Sequence, residues 1–255
     1  MNLTILVMSC DKYSDLWNPF VACFERYWPD CPASIYLVTE TLNCESQLFE
    51  RVIRCGEGTQ WTDRLDIALS ETGTDFCMLL CDDYLLCDKV DNELIQSLIE
   101  ITAENNAGNL RMLPDPAPNG VLIKGTNVGE ITRGTPYRIA TQAGIWSKEY
   151  LQQFANMHTS IWGFERLGTV MSDKFEQKIL ATTRHTFPFV DAVHKGKWER
   201  VGLSLCGRNN VSVDTKQRQV MTNVDYLIKH GKGAIIDQFP NVVTKTKNAL
   251  AKIRK

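Results

Sequence analysis

The chain has 255 residues and a formal net charge of −2, with 44% hydrophobic and 23% charged residues. This is the composition of a globular protein with one substantial core, and it excludes a disordered chain. A dedicated nucleic-acid-binding domain would be basic, so we expect no nucleic-acid partner. No apolar run reaches the roughly 18 residues needed to cross a bilayer, and no secretory signal opens the sequence, so we expect a cytoplasmic protein.

Apolar runs alternate with amphipathic stretches through the first half of the chain. The predicted strands are residues 3–8, 34–38, 52–53 and 75–81, and the predicted helices are residues 14–28, 61–70 and 90–103. This alternation predicts an α/β fold of Rossmann type, a mostly parallel sheet flanked by helices. Ligands of such sheets bind beyond the carboxyl ends of the strands, where the polar segments 9–13 and 82–84 follow two of the predicted strands.

The pattern loosens in the second half of the chain. Between residues 113 and 136 lie three prolines and four glycines, which predict a long binding loop with a hairpin around residues 121–123. The later predicted elements are a strand at 144–146, helices at 147–154 and 162–175, and strand and loop from 182 to 198. The terminal residues 241–255 hold five basic residues and no acidic one, typical of a solvated helix or of a peripheral contact with anionic lipid.

Nine cysteines are spread along the chain, and no two of them have the Cys-x-x-Cys spacing. An odd number in a chain of this length does not need a disulfide scaffold, and the spacing disfavours a zinc site. We therefore predict reduced, mostly buried thiols.

Adjacent carboxylates, Asp82 and Asp83, end the predicted strand at residues 75–81. Carboxylate oxygens are the hard ligands that Mg²⁺ or Mn²⁺ prefers together with water and substrate phosphates. A second interpretation is that either aspartate caps the following turn.

Six motifs in order resemble the nucleotide-sugar glycosyltransferases of the GT-A fold, and in particular the bacterial transferases of surface polysaccharides such as O-antigen and capsule. The motifs are Ser9-Cys10-Asp11-Lys12-Tyr13, Trp61-Thr62-Asp63-Arg64-Leu65 with Ala68-Leu69, Cys81-Asp82-Asp83-Tyr84, Tyr137-Arg138 with Gln142-Ala143-Gly144-Ile145-Trp146, Ser160-Ile161-Trp162-Gly163-Phe164-Glu165 and Val193-His194-Lys195-Gly196-Lys197-Trp198. The resemblance implies a catalytic domain at 1–198, with a nucleotide-binding half at about 1–105 and an acceptor-binding half at about 106–198. Residues 199–255 then form a C-terminal extension packed on the same domain.

The resemblance also implies a metal site, with one departure from the family pattern. The family motif is Asp-x-Asp, whereas this chain has Cys81 at the first position. Asp83 is then the implied ligand of Mn²⁺ or Mg²⁺, His194 a third ligand, and Asp82 a contact of the ribose or sugar. The alternatives are weak or absent metal binding and an exposed loop histidine.

For the donor, the residues expected to bind the nucleotide sugar besides Asp82 are Ser9, Asp11, Tyr13, Trp61, Arg64, Lys195 and Lys197. The lysines would contact diphosphate oxygens as point charges. Core packing of Tyr13 and Trp61, and solvation of the lysines, are the competing interpretations.

For the acceptor, the resemblance places an acid at Glu165, our candidate base for deprotonating the acceptor hydroxyl. The competing interpretation of Glu165 is a first-turn residue favoured by the helix dipole. We expect Gln142, Trp146 and Trp162 at the acceptor surface, because sugar faces stack on aromatic rings. Trp146 is equally compatible with a place in the core.

The predicted activity is transfer of a sugar from a nucleotide-diphosphate donor to a hydroxyl of a glycan or lipid-linked glycan, with inversion. A retaining transferase and a non-catalytic nucleotide- or glycan-binding module are the alternatives. A nucleotidyltransferase is disfavoured, because it would carry a glycine-rich opening loop and residues 9–13 contain no glycine.

Overall fold

A mixed sheet of eight strands forms the centre of residues 2–229, the part of the chain that this computed structural model describes. The strands of the described chain are β1 Leu3–Met8, β2 Ser34–Thr39, β3 Arg51–Arg54, β4 Phe76–Cys81, β5 Tyr84–Leu86, β6 Ala107–Arg111, β7 Val128–Glu130, β8 Gly144–Ser147, β9 Lys178–Thr182, β10 Phe189–Asp191, β11 Val193–His194 and β12 Lys197–Trp198. The order in the large sheet is β3-β2-β1-β4-β8-β6-β9-β7, while β5 pairs with β10 and β11 with β12.

Helices cover both faces of the sheet. They are α1 Trp17–Tyr27, α2 Trp61–Ser70, α3 Asn92–Glu104, α4 Lys148–Ala155, α5 Ile161–Ser172 and α6 Arg200–Arg208. Residues 223–229 are also helical. Six of the eight strands run in one direction, with β8 and β7 opposed to their neighbours, so the predicted α/β fold with a mostly parallel sheet is confirmed.

The chain reverses its direction of travel across the sheet between β1 and β4. From β1 it proceeds through β2 to β3 on one side, and it then returns to add β4 on the other side of β1. Met8 and Cys81, the last residues of these two strands, are register partners. The segments that follow them therefore leave the same edge of the sheet side by side, at the switch point where ligands of such folds bind.

Alternation along the strands divides the core into two layers. Ile5 and Val7 of β1 pack in the layer that contains α1 and α3, whereas Leu6 and Met8 pack in the layer with α2, α4 and α5. A strand covered on both faces reads as a continuous apolar run, which is why β1 and β4 were predictable. All nine cysteines are free thiols.

The strand β6 was missed because it carries an arginine in a buried position. Arg111 has no exposed surface, and its guanidinium donates to the carbonyl oxygens of Asp115, Tyr137 and Arg138. These bonds fasten both ends of the long loop to the sheet. The predicted hairpin in that loop is confirmed, since the Glu130 amide donates to Val121 O at 3.0 Å.

The start of the C-terminal extension packs against the body of the protein. Leu205 and Cys206 of α6 lie in the same core layer as α1. The domain division at residue 198 stays a prediction, and the basic residues 241–255 lie outside the described residues. Among the described residues we find no helix long and apolar enough to cross a membrane.

Candidate functional site

A cavity of about 610 Å³ opens at the switch point of the sheet. Its size lies within the range of small-molecule sites, roughly 300–1,000 Å³. The predicted site residues that line it are Ser9, Tyr13, Trp61, Arg64, Asp82, Asp83, Trp162, His194 and Lys195. Asp11, Gln142, Trp146, Glu165 and Lys197 are not among its lining residues in the described chain. Glu40, Thr141 and Asp191 line the cavity and were missed from the sequence.

Asp82 is a buried residue in the cavity wall, and Ser9 forms a hydrogen bond with its carboxylate. The Ser9 hydroxyl donates to Asp82 Oδ2, and the Trp17 indole nitrogen donates to Ser9 Oγ at 2.8 Å. Burial raises the pKa of Asp82 well above its usual value, and the neighbouring Asp83 carboxylate adds to the effect. Ser9 therefore fixes the orientation of Asp82 as well as lining the cavity.

Asp83 faces a second carboxylate from a distant part of the sequence. The Ala192 amide donates to Asp83 O at 2.8 Å, and Asp191 is the register partner of Tyr84. Burial raises the pKa of Asp83 to about 7, with repulsion by Asp191 as the next cause. Two acids thus come together beside the cavity, and the charge of Asp191 disfavours the ionised form of Asp83.

The donor set suits a divalent cation only if a ligand completes it. No group of three or more His, Cys, Asp or Glu side chains in residues 2–229 could hold a metal ion. Mg²⁺ commonly binds one or two carboxylates together with water and substrate phosphates, and Asp83 with Asp191 offers that number. Cys81 is a poor ligand for such a cation, because burial and the neighbouring aspartates raise the pKa of its thiol well above the usual value and so disfavour the thiolate.

A tight hairpin turn presents His194 and Lys195 to the cavity. Lys195 and Gly196 connect β11 to β12 and have φ of +51° and +78°, as a two-residue turn of type I′ requires. Burial is the largest cause that lowers the pKa of His194, which favours the neutral imidazole. Lys197 is engaged elsewhere, since its ammonium donates to both carboxylate oxygens of Asp225 at 2.9 Å.

At another part of the wall, Arg64 of α2 donates to Glu40 Oε1 at 3.4 Å. Glu40 directly follows β2, so its position at the sheet edge was a signal that sequence reasoning passed over. Asp11 does not line the cavity, but it forms hydrogen bonds with residues 40–42, which follow β2. Its amide donates to Glu40 Oε2, and its carboxylate accepts from the amides of Thr41 and Leu42 at 3.0 and 3.1 Å. The Asp11 side chain thus fixes a turn and does not face the cavity.

The two tryptophans predicted at the acceptor surface have opposite environments. Trp162, at the start of α5, is 71% exposed at the cavity rim. Trp146 has no exposed surface and packs against Tyr150 and Phe164, so its ring offers no face to a sugar. This placement corrects the prediction for Trp146. Gln142 also points elsewhere, donating to Asp115 Oδ2 at 3.4 Å.

Glu165 lies behind Thr141 at the edge of the cavity. Its Oε1 accepts from the Thr141 amide and from the Thr141 hydroxyl, each at 2.9 Å. In the described part of the chain, no hydrogen bond to Glu165 Oε2 is found. The arrangement orients one oxygen by two donors and leaves the other for a further ligand.

Arg218 of the C-terminal extension contacts two of the segments that form the site. It donates to both carboxylate oxygens of Asp15, at 2.7 and 2.8 Å, and its guanidinium lies 4.3 Å from the centre of the Tyr13 ring. It also donates to Gly196 O at 3.2 Å. One buried side chain therefore connects the segment after β1 to the hairpin turn, and no sequence motif indicated it.

Comparison with known proteins gives only distant likeness. No protein-family model and no curated protein matches the chain. Among solved structures, TarS 1–349 of S. aureus is 11% identical with a TM-score of 0.49, over 74% of this chain and 59% of that chain. The same protein in complex with UDP-GlcNAc is 10% identical with a TM-score of 0.42, over 60% of this chain and 47% of that chain. A cytidylyltransferase from Leptospira borgpetersenii is 10% identical with a TM-score of 0.44, over 87% of this chain and 98% of that chain.

This chain spans 59% of the length of TarS 1–349 and 36% of the TarS chain. Because unrelated functions share α/β folds, the geometry of the cavity must carry the functional assignment.

Proposed function

We propose that this protein is a nucleotide-sugar-dependent glycosyltransferase of GT-A type. It transfers a sugar from a nucleotide-diphosphate donor to a hydroxyl of a glycan or lipid-linked glycan, in the assembly of a bacterial surface polysaccharide. The observation that carries the proposal is the meeting of the Asp83–Asp191 acid pair and the His194–Lys195 turn in one cavity at the switch point. Acids and cations that converge there suit a diphosphate and its counter-ion.

The cavity walls suggest how the donor lies. Arg64 and Glu40 supply hydrogen-bonding groups at one part of the wall, and Tyr13 and Trp61 supply ring surface. Lys195, on the tight turn, supplies a positive charge near the acid pair. We assign the base and ribose of the donor to the wall formed by Arg64, Glu40 and the two aromatic rings. We assign the diphosphate to the part of the cavity that contains Lys195 and the acid pair.

Asp83 and Asp191 would hold Mn²⁺ or Mg²⁺, with water and diphosphate oxygens as the remaining ligands. His194 lines the same cavity but does not complete a three-residue ligand group with them in residues 2–229. When bound, the ion would neutralise charge on the departing diphosphate. The Lys195 ammonium would neutralise the same charge, and the tight turn fixes the backbone from which this side chain extends. Asp82, oriented by Ser9, would contact the ribose or sugar.

On the acceptor side, Trp162 offers an exposed ring on which a sugar can stack. Glu165 is the proposed base. It takes the proton of the acceptor hydroxyl while that oxygen bonds to the anomeric carbon and the bond to the diphosphate breaks, which inverts the configuration. The Thr141 donors keep the carboxylate oriented throughout.

The segment after β1 disfavours a nucleotidyltransferase. Residues Asp11–Leu16 form a 3-10 helix that runs directly into α1, and residues 9–13 contain no glycine. A loop that wraps phosphates with its amides needs the backbone freedom that glycine gives.

Thermal-shift assays with a panel of nucleotide sugars, UDP-GlcNAc among them, test the proposal with and without Mn²⁺. At 100 times its Kd a cognate donor stabilises the protein by about 2.7 kcal/mol, which corresponds to roughly 5–10 °C. Asp83→Asn should reduce the Mn²⁺-dependent part of this shift. Asp88→Asn, at an exposed carboxylate outside the cavity, is the matched control and should leave the shift unchanged.

No shift with any nucleotide sugar would contradict the proposal. Binding without donor hydrolysis or transfer would favour the non-catalytic module. The anomeric configuration of the product, measured by NMR, separates inversion from retention.

A further inference from the structure

The helix at residues 223–229 turns polar side chains toward the protein. Asp225 and Thr222 cap its start reciprocally, since the Thr222 amide donates to Asp225 Oδ2 at 2.8 Å and the Asp225 amide donates to Thr222 Oγ1 at 3.2 Å. The same carboxylate binds the Lys197 ammonium through both oxygens. The beginning of the helix is therefore fastened to the β11–β12 hairpin.

Two further contacts fasten the next turn. Tyr226 accepts a hydrogen bond from the Arg200 amide at 2.7 Å, and the Arg200 guanidinium lies 4.8 Å from the centre of the Tyr226 ring. Lys229 donates to Glu199. Polar and charged groups thus fill the interface between this helix and α6.

The opposite face of the helix is apolar and exposed. Val224, Leu227 and Ile228 are 62%, 73% and 48% exposed, and their spacing places them on one face. Surface helices of globular proteins ordinarily bury the apolar stripe and expose the polar one, whereas this helix does the reverse. An apolar stripe turned outward marks an interaction surface.

The charge of the surrounding sequence indicates the kind of partner. Residues 195–255 contain 13 Lys and Arg against four Asp and Glu, whereas residues 1–194 contain 15 against 26. The apolar face thus belongs to the basic part of an otherwise acidic chain. Two copies that met through this face would bring like charges together, which disfavours a dimer.

We propose that Val224, Leu227 and Ile228 form a docking face for an anionic lipid surface. Apolar side chains of such a face enter the boundary between head groups and acyl chains, and the net positive charge of residues 195–255 attracts anionic head groups. Because Lys197 belongs to the same hairpin as the cavity-lining Lys195, docking would hold the cavity close to the lipid surface.

Co-sedimentation of the full chain with vesicles tests the face. We expect binding to phosphatidylcholine vesicles with about 30% phosphatidylglycerol, weak binding to pure phosphatidylcholine, and loss of binding as NaCl concentration rises. The double variant Leu227→Glu with Ile228→Glu should lower the partition coefficient at least ~tenfold. Val121→Glu, at a residue 76% exposed in the hairpin of the long loop, should change it less than ~twofold.

Four outcomes would overturn the proposal. The first is no binding to anionic vesicles, and the second is equal loss of binding in the double variant and in Val121→Glu. The third is a dimer, measured by light scattering, that the double variant dissociates. The fourth is a marked decrease in the Tm of the double variant, which we expect to match that of the original chain, because a decrease would assign the face to packing within the chain.

Discussion

Arg218 and Asp15, which are 203 positions apart in the sequence, form a buried ion pair with two hydrogen bonds of 2.7 and 2.8 Å. The pair joins the C-terminal extension to the 3-10 helix Asp11–Leu16, which carries the cavity-lining Tyr13. Arg218 also lies over the ring of Tyr13, which lines the cavity. Residues beyond 198 therefore contribute to the shape of the site, although every motif ends before them.

Arg218→Met should lower the free energy of unfolding by about 3–5 kcal/mol, because it leaves the buried Asp15 carboxylate without its partner. Urea denaturation measures this. Arg51→Met is the matched control, since the Arg51–Glu71 pair is about half exposed and should contribute less than about 1 kcal/mol. Adding Asp15→Asn to Arg218→Met should cost less than the sum of the single changes, and strict additivity would contradict the pairing.

Glu165→Gln should abolish sugar transfer and leave nucleotide affinity within about twofold. The amide oxygen of glutamine can still accept both hydrogen bonds from Thr141, so the geometry survives while the proton acceptor is lost. Transfer rates and calorimetric titration with the donor nucleotide measure the two effects. Retained turnover would remove Glu165 from the mechanism.

Trp162→Ala and Trp146→Ala should separate acceptor binding from stability. Trp162 is exposed at the rim, so its loss should raise the KM for the acceptor by about tenfold and change Tm little. Trp146 fills the core, so its loss should cost about 3–5 kcal/mol of stability. A large fall in Tm for Trp162→Ala would contradict its assignment to the acceptor surface.

The stability of the helix at residues 223–229 should depend on pH, because the Asp225 carboxylate binds both its first turn and Lys197. The hydrogen bond from Lys197 is the first cause that lowers the pKa of this carboxyl from 3.8 to about 2. Because the pKa is lower in the folded state, the stabilisation is present above pH 3.8 and is lost as the pH falls through about 2. An NMR titration of the Asp225 carboxyl measures the pKa, and Lys197→Gln should raise it toward the usual value. An unchanged pKa in that variant would show that the ion pair does not form in solution.

Local patterns were enough to predict much of the first half of the fold. The apolar run at residues 3–8 coincides with β1, and the amphipathic stretch at residues 61–70 coincides with α2. Both follow from the periodicity of neighbouring residues, because burial on one or both faces leaves a regular trace in the sequence. The position of Asp82 and Asp83 directly after β4 was predicted in the same way, because the apolar run of that strand ends where they begin.

The partners of the site residues required the tertiary structure. Asp11 and Lys197 belong to motifs that predicted ligand contact, yet they bind Thr41 and Asp225 because those groups arrive from separate elements. The sequence motif predicted Trp146 at the acceptor surface. The packing of α4 and α5 on β8 buries its ring in the core instead.

By itself, the sequence determined the alternation of strands and helices, the acidic end of β4 and the basic character of the C-terminal part. The tertiary structure decided that Asp191 faces Asp83, that Arg218 pairs with Asp15 and that Leu227 points outward. The physical reason is the range of the interactions. Periodicity is written in adjacent residues, whereas ion pairs and burial depend on which distant segments the fold brings together.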